Sequence, residues 1–270
     1  MFAKLLKHDI LAVLKYWWIG AVVSVGCAIL CGFAGLVAFT DNTEYTAISD
    51  VAYEAYLFCF LGVIMLPLFT YILLLVRYQK HFFSDEGYLT FTLPVKKSTL
   101  IDSKLTLALI FSVVSSLITL MNFMVIDFIC GKDVFDMLFD EVIKELNEYL
   151  VGYTVAYVIM AVIAFCLVEL CYITLMYVCL TISSLLFKKY KVIAGLAMYS
   201  VVMWFVYVIG VVVFLNFVFG MYDNTTDLTV YLTPQTGLVI VLGVIGVSVI
   251  VFGVLYYILT AVLHKKLNLA

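Results

Sequence analysis

The sequence has 270 residues, of which 66% are hydrophobic and 12% charged, with a net charge of −3 and a mean hydropathy of +1.19. Soluble domains carry about half apolar and about a quarter charged residues, and a soluble fold of this size could not hide so much apolar surface. A soluble enzyme, a disordered chain and a secreted disulfide scaffold are therefore excluded, leaving an all-α, polytopic membrane protein.

Segment 1–16 reads as an amphipathic elbow helix. Phe2, Leu5, Leu6, Ile10, Val13 and Trp17 share one broad helical face, while Lys4, Lys7, His8 and Lys15 occupy others. Such a helix lies in the interface, its lysines facing anionic headgroups. A span needs about 20 apolar residues to cross the ~30 Å hydrocarbon core. Charge-free stretches of that length cover 17–39, 55–76, 105–126, 192–222 and 228–263, and the last becomes helical near Gly237. A further stretch, 150–187, is interrupted only by Glu169. A hinge at Glu169 would make two spans of it, but the local sequence has no Gly, Pro, Asn or Asp to turn on. The expected count is six spans. The first reads as an uncleaved anchor, since no small-residue cleavage site follows a short apolar core.

Between spans two and three, segment 77–104 is unusually apolar for an extramembrane connection. It carries Tyr78, Phe82, Phe83, Tyr88, Leu89, Phe91 and Leu93, is broken by Gly87 and Pro94, and leads into the third span with Ser98 as a candidate N-cap. Apolar rings beside Asp85 and Glu86 suggest a surface that docks another protein; the competing reading packs the rings on the floor of the bundle. Between spans three and four, segment 131–149 repeats Val134, Leu138, Val142 and Leu146 every four residues, with Asp133 as a plausible N-cap. It reads as an external amphipathic helix, with Asp136, Asp140 and Glu141 as candidate gate residues or as a solvated extension of the fourth span. Glu169, deep in an apolar span, is a costly placement. It reads either as a neutral carboxyl bonded to a neighbouring helix or as part of a substrate pathway or subunit interface.

Charge placement fixes the orientation. With both termini cytoplasmic, 13 of the 15 basic residues fall inside and only Lys132 and Lys144 outside, as the positive-inside rule requires. The outer connections are acidic. The seven cysteines show no CxxC pair or His/Cys cluster, and six fall within the spans; they read as small packing residues at helix interfaces, not as disulfides or metal ligands. His8, His81 and His264 are far apart in sequence with no HExxH spacing. No phosphate-binding GxxxxGK[ST] loop occurs, so the chain has no such route to ATP. No catalytic residue, metal site, cofactor or nucleic-acid partner is expected in this chain.

The run Phe82-Phe83-Ser84-Asp85-Glu86-Gly87-Tyr88-Leu89-Thr90-Phe91-Thr92-Leu93-Pro94, closing with Ser103-Lys104, resembles the first cytoplasmic loop of type 2 ABC transporter permeases from Gram-positive bacteria. The likeness is dense over segment 77–104, while the span count and topology fit the whole chain. It implies a single permease domain, 1–270, with an N-terminal elbow and a coupling element that seats in a separate ATPase subunit. Phe82, Phe83, Asp85, Glu86, Gly87, Tyr88, Leu89 and Pro94 would then be docking residues. Mg-ATP would be held by the ATPase, a second permease copy or homologue would complete a dimer in the bacterial cell membrane, and membrane lipids would surround it. The short polar segment 222–236 departs from the re-entrant helices of the family pattern. The function implied is ATP-driven export of a lipid, peptide antibiotic or drug. The alternative is a membrane sensor or scaffold that uses the same loop to bind a cytosolic partner.

Overall fold

The computed structural model describes residues 2–38, 46–83, 97–130, 154–187, 189–222 and 234–267. They form six helices: α1 (Phe2–Ala38), α2 (Thr46–Phe83), α3 (Lys97–Cys130), α4 (Thr154–Leu186), α5 (Lys191–Tyr222) and α6 (Pro234–Leu267). All six contain windows long and apolar enough to cross a membrane. At 1.5 Å per residue α1 and α2 are each about 55 Å long, so both outrun the ~30 Å hydrocarbon core. The external helix expected at 131–149 and the core of the expected docking loop, 84–96, lie outside the described residues.

The helices group into two compact units, Met1–Glu145 and Leu146–Ala270. In the first, α1 packs on both α2 and α3. Its buried stripe is Asp9, Val13, Trp17, Ser24, Ala28, Cys31 and Gly35, with Gly32 beside Cys31. Steps of three, four and seven keep one face of a helix toward its neighbours. Contacts rise along α3 and fall along α2 as they rise along α1, so α1 runs parallel to α3 and antiparallel to α2. The Trp17 indole donates to Thr70 Oγ1 at 2.8 Å, and the Thr70 hydroxyl donates to the Leu66 carbonyl. Trp17 also meets Phe111 of α3 edge-on, at 5.4 Å between ring centroids. One layer along, Asn122 Nδ2 donates to Ser24 Oγ at 3.3 Å, and Ser24 donates to the Ala21 carbonyl. Ala28, Cys31, Val63 and Ile126 then close an apolar layer, bordered by Tyr56, Cys59, Phe60 and Phe123. Each polar group in these layers has a partner, which a helix interface in hydrocarbon demands.

Glycines set the spacing here. A Cβ on Gly32 would stand 2.7 Å from Ile129 Cβ of α3, and one on Gly62 of α2 would stand 2.8 Å from Cys27 Sγ of α1. Small residues at such positions let helix backbones approach closely. The outward side chains, among them Leu30, Phe58, Met121 and Phe128, are apolar and exposed, as a lipid-facing surface requires.

In the second unit α4 packs on α5 and α6. Its buried face gathers toward the C-terminal half, from Ile173 and Thr174 through Met176–Thr181 to Ser183. Thr174 and Thr181 donate back to the carbonyls of Leu170 and Tyr177, and Cys171 Sγ to the Ser248 carbonyl of α6. The α4–α5 connection is tight. Tyr190 takes φ = 59°, a conformation uncommon for a residue with a Cβ. Ser183 Oγ donates to the Lys191 carbonyl across the turn, and Gly195 lies under Leu180 and Ser183.

One expectation changes at this level. Segment 1–16 is not a separate element: α1 is continuous from Phe2 to Ala38. Nothing near Tyr16 and Trp17 breaks a helix, and the stripe Asp9–Val13–Trp17 keeps its phase only if the helix is unbroken. The expected polar faces survive, with Lys4, Lys7, His8 and Lys15 exposed, but Phe2 is exposed as well. Within segment 77–104, residues 77–83 form the last turns of α2 and 97–104 the first turns of α3, which opens at Lys97, one residue before the expected cap Ser98. The possible hinge at Glu169 is absent, since α4 runs straight through it as one helix.

Candidate functional site

The first unit ends in a cluster of charges at the roots of the 84–96 connection. Asp9 faces inward from α1, one helical turn before Val13. One carboxylate oxygen accepts from Lys104 Nζ of α3 at 2.5 Å, and the other accepts from Arg77 Nη2 of α2 at 3.2 Å. His81 Nε2, one turn beyond Arg77, stands 3.6 Å from the oxygen that Arg77 engages. A single carboxylate thus joins three helices.

Burial makes this arrangement consequential. The Asp9 and Lys104 side chains are 3% and 4% exposed, whereas Arg77 and His81 are 19% and 17% exposed. Charged hydrogen bonds shielded from water are strong, but each ion has been stripped of hydration that only its partner replaces. One carboxylate faces two permanent cations. Lys104 reaches Asp9 from a turn in which Leu100, Ile101, Ser103 and Leu105 are buried and Asp102 is half-buried. Beside it Tyr78, itself fully buried, packs its ring 5.0 Å from that of Phe82 and 6.0 Å from that of Phe83.

Of the residues expected to dock an ATPase, two are described. Phe82 is 5% exposed and its ring belongs to the Tyr78 cluster; Phe83 is half-buried at the end of α2. Asp85, Glu86, Gly87, Tyr88, Leu89 and Pro94 lie outside the described residues, as do the gate candidates Asp136, Asp140 and Glu141. Glu169 is half-buried midway along α4, in electrostatic reach of Tyr199 on α5. Cys31 and Cys179 are buried, the other five cysteines are half-buried, and all are free thiols. Among the described residues no group of His, Cys, Asp or Glu is arranged to hold a metal ion.

In the sequence Arg77 and Lys104 stand as inner basic residues bounding segment 77–104, Lys104 closing the family-like run, and Asp9 does not stand out. The signal was present: Asp9 is the one acidic residue among Lys4, Lys7, His8 and Lys15, and it falls four residues before Val13 and eight before Trp17, on the apolar face.

Residues 88–183 match the model of a family described as ABC-2 family transporter protein. The match covers 96 of the 270 residues. With six helices able to span a membrane, it supports a type 2 ABC transporter permease, a multi-pass membrane protein of a family that works with ABC ATPases. No curated protein and no solved structure matches the chain. The ABC-2 match opens at Tyr88, inside the expected docking loop, and runs through α3 to Ser183 of α4. Lys104 and Glu169 therefore lie within the matched stretch, whereas Asp9, and the Arg77 and His81 that it also engages, belong to the helices before it.

Proposed function

We propose that the chain is the permease subunit of an ATP-driven exporter. It is not itself an enzyme: Mg-ATP binds and is hydrolysed in a separate ABC ATPase subunit. The permease pairs with a second copy or a homologue, and moves a lipid, peptide antibiotic or drug across a bacterial plasma membrane. Both termini are cytoplasmic in this reading, supported by the 13 of 15 basic residues that then fall inside.

The observation that carries the reading is the family match over 88–183, since six apolar helices alone would fit many membrane proteins. Segment 77–104 is the coupling element. ATP-driven closure of the ATPase moves it, and α2 and α3, which flank it, tilt in response. The N-terminal part of α1, with Lys4, Lys7 and Lys15 on its exposed faces, works as the elbow against anionic headgroups. In this reading the acidic segment 131–149 is external and supplies Asp136, Asp140 and Glu141 as gate residues, and Glu169 borders the path or a subunit interface.

Purification of the chain with its native partners tests this. The expected result is a co-purifying ATPase whose turnover in lipid nanodiscs depends on the chain. A cytosolic partner without ATPase activity would replace the exporter with a sensor or scaffold.

A further inference from the structure

We infer that Asp9 is a positioning residue of the coupling step, pinning the N-terminal part of α1 to both roots of the coupling element so that the three move as one body. The inference rests on the permease reading and goes beyond it, because that reading assigns coupling to segment 77–104 and gives α1 no part in transmission.

The geometry carries the argument. Arg77 lies six residues before the end of α2 and Lys104 seven residues after the start of α3. Any force on the connection between these helices passes through both positions, each within two turns of it. Both side chains converge on the two oxygens of one carboxylate, and that carboxylate belongs to a third helix. A contact between apolar side chains can slide, because dispersion is non-directional. A two-armed charged contact at 2.5 and 3.2 Å, with the Asp9 carboxylate shielded from water, cannot slide without taking that carboxylate from its two cations. The neighbouring layers of the α1 interface extend the grip: Trp17 joins Thr70 of α2 and Phe111 of α3 two turns further on. A displacement of the α2 and α3 roots is therefore delivered to α1 at Asp9 and carried along its length.

The alternative role for Asp9 is static, a buried pair that only holds the fold. The two roles separate when both buried charges are removed together, since replacing a buried ion pair by apolar side chains often leaves stability unchanged. The experiment uses the permease–ATPase complex in lipid nanodiscs, comparing the nucleotide-free state with the state trapped by Mg-ATP and vanadate, with hydrogen–deuterium exchange read across residues 2–16, 77–83 and 97–104. In the native complex, trapping is expected to change exchange in all three segments, by about threefold or more in 2–16. In the double variant Asp9→Val with Lys104→Met, the response of 77–83 is expected to persist while that of 2–16 disappears. Arg77→Gln, which leaves the buried Asp9–Lys104 pair intact, is the second variant and is expected to diminish the 2–16 response. A full 2–16 response in both variants, or none in the native complex, overturns the pin. Absence of any ATPase from the native preparation overturns the exporter reading and the pin with it, an outcome distinct from a bound ATPase and an unaltered α1.

Discussion

At the scale of single residues, Asp9 shows why a buried charge must be read with its partners. Replacing one member of a buried pair leaves the other stranded, at a cost of about 3–5 kcal/mol. Asp9→Asn is therefore expected to lower the thermal stability of the permease in detergent sharply, because Lys104, only 4% exposed at its side chain, loses its counter-charge. Asp9→Val combined with Lys104→Met is expected to recover most of that loss, and a double variant as unstable as Asp9→Asn would contradict the pairing. Tyr190 presents the opposite case, an exposed residue whose backbone is the constraint. At φ = 59° a Cβ costs about 1–2 kcal/mol relative to an ordinary helical conformation, and branching at Cβ aggravates it. Tyr190→Gly is expected to be neutral or mildly stabilising, whereas Tyr190→Val is expected to weaken the α4–α5 turn. Thermal scans of the two variants beside the native protein measure the difference.

At the scale of elements, the first unit depends on how closely its helices approach. Gly32 has no room for a methyl group, since Ile129 Cβ would lie 2.7 Å away, whereas Gly26 on the same helix has nothing within 4 Å of such a group. Gly32→Ala is expected to push α1 from α3 and cost about 1–3 kcal/mol, the usual range for overpacking. Gly26→Ala is expected to cost nothing, and equal losses at both sites would show that the α1–α3 approach is not the constraint. The aromatic end of α2 divides in a similar way. Phe82 lies within the Tyr78 cluster, 5% exposed, so Phe82→Ala is expected to lower stability by about 3–5 kcal/mol. Tyr88→Ala is expected instead to leave stability unchanged and weaken ATPase binding more than tenfold, about 2 kcal/mol at an interface anchor. A detergent pull-down with Asp140→Ala as control separates the two effects, and full ATPase retention by Tyr88→Ala would remove that residue from the docking surface.

At the scale of the whole molecule, the proposed orientation rests on the distribution of charge among the connections. Single cysteines placed at 132 and 223 in a cysteine-free background are expected to react with an impermeant reagent on intact cells. Cysteines at 97, 189 and 265 are expected to react only after the membrane is opened. External labelling at 189 would break the six-span topology. The six spans themselves were legible in the sequence because hydropathy is a local quantity: a run of about 20 apolar residues needs no knowledge of its neighbours to prefer hydrocarbon. The resemblance at Gly87-Tyr88-Leu89-Thr90-Phe91-Thr92-Leu93-Pro94 was likewise readable, and the family match begins within it, at Tyr88.

What the sequence determined alone was thus the class of the protein, its six apolar helices and its likeness to ABC-2 transporters, all properties of contiguous segments. The tertiary structure decided which polar residues face one another. Glu169 stood out in the sequence because its neighbours along the chain are apolar, yet it is only half-buried. Asp9 sits among lysines and does not stand out in the sequence, yet it is 2% exposed and joins three helices. The burial of an ion depends on side chains 68 and 95 residues away. That separation is closed only when α1, α2 and α3 pack together, because the desolvation of Asp9 and the cations that offset it are created by the same act of packing.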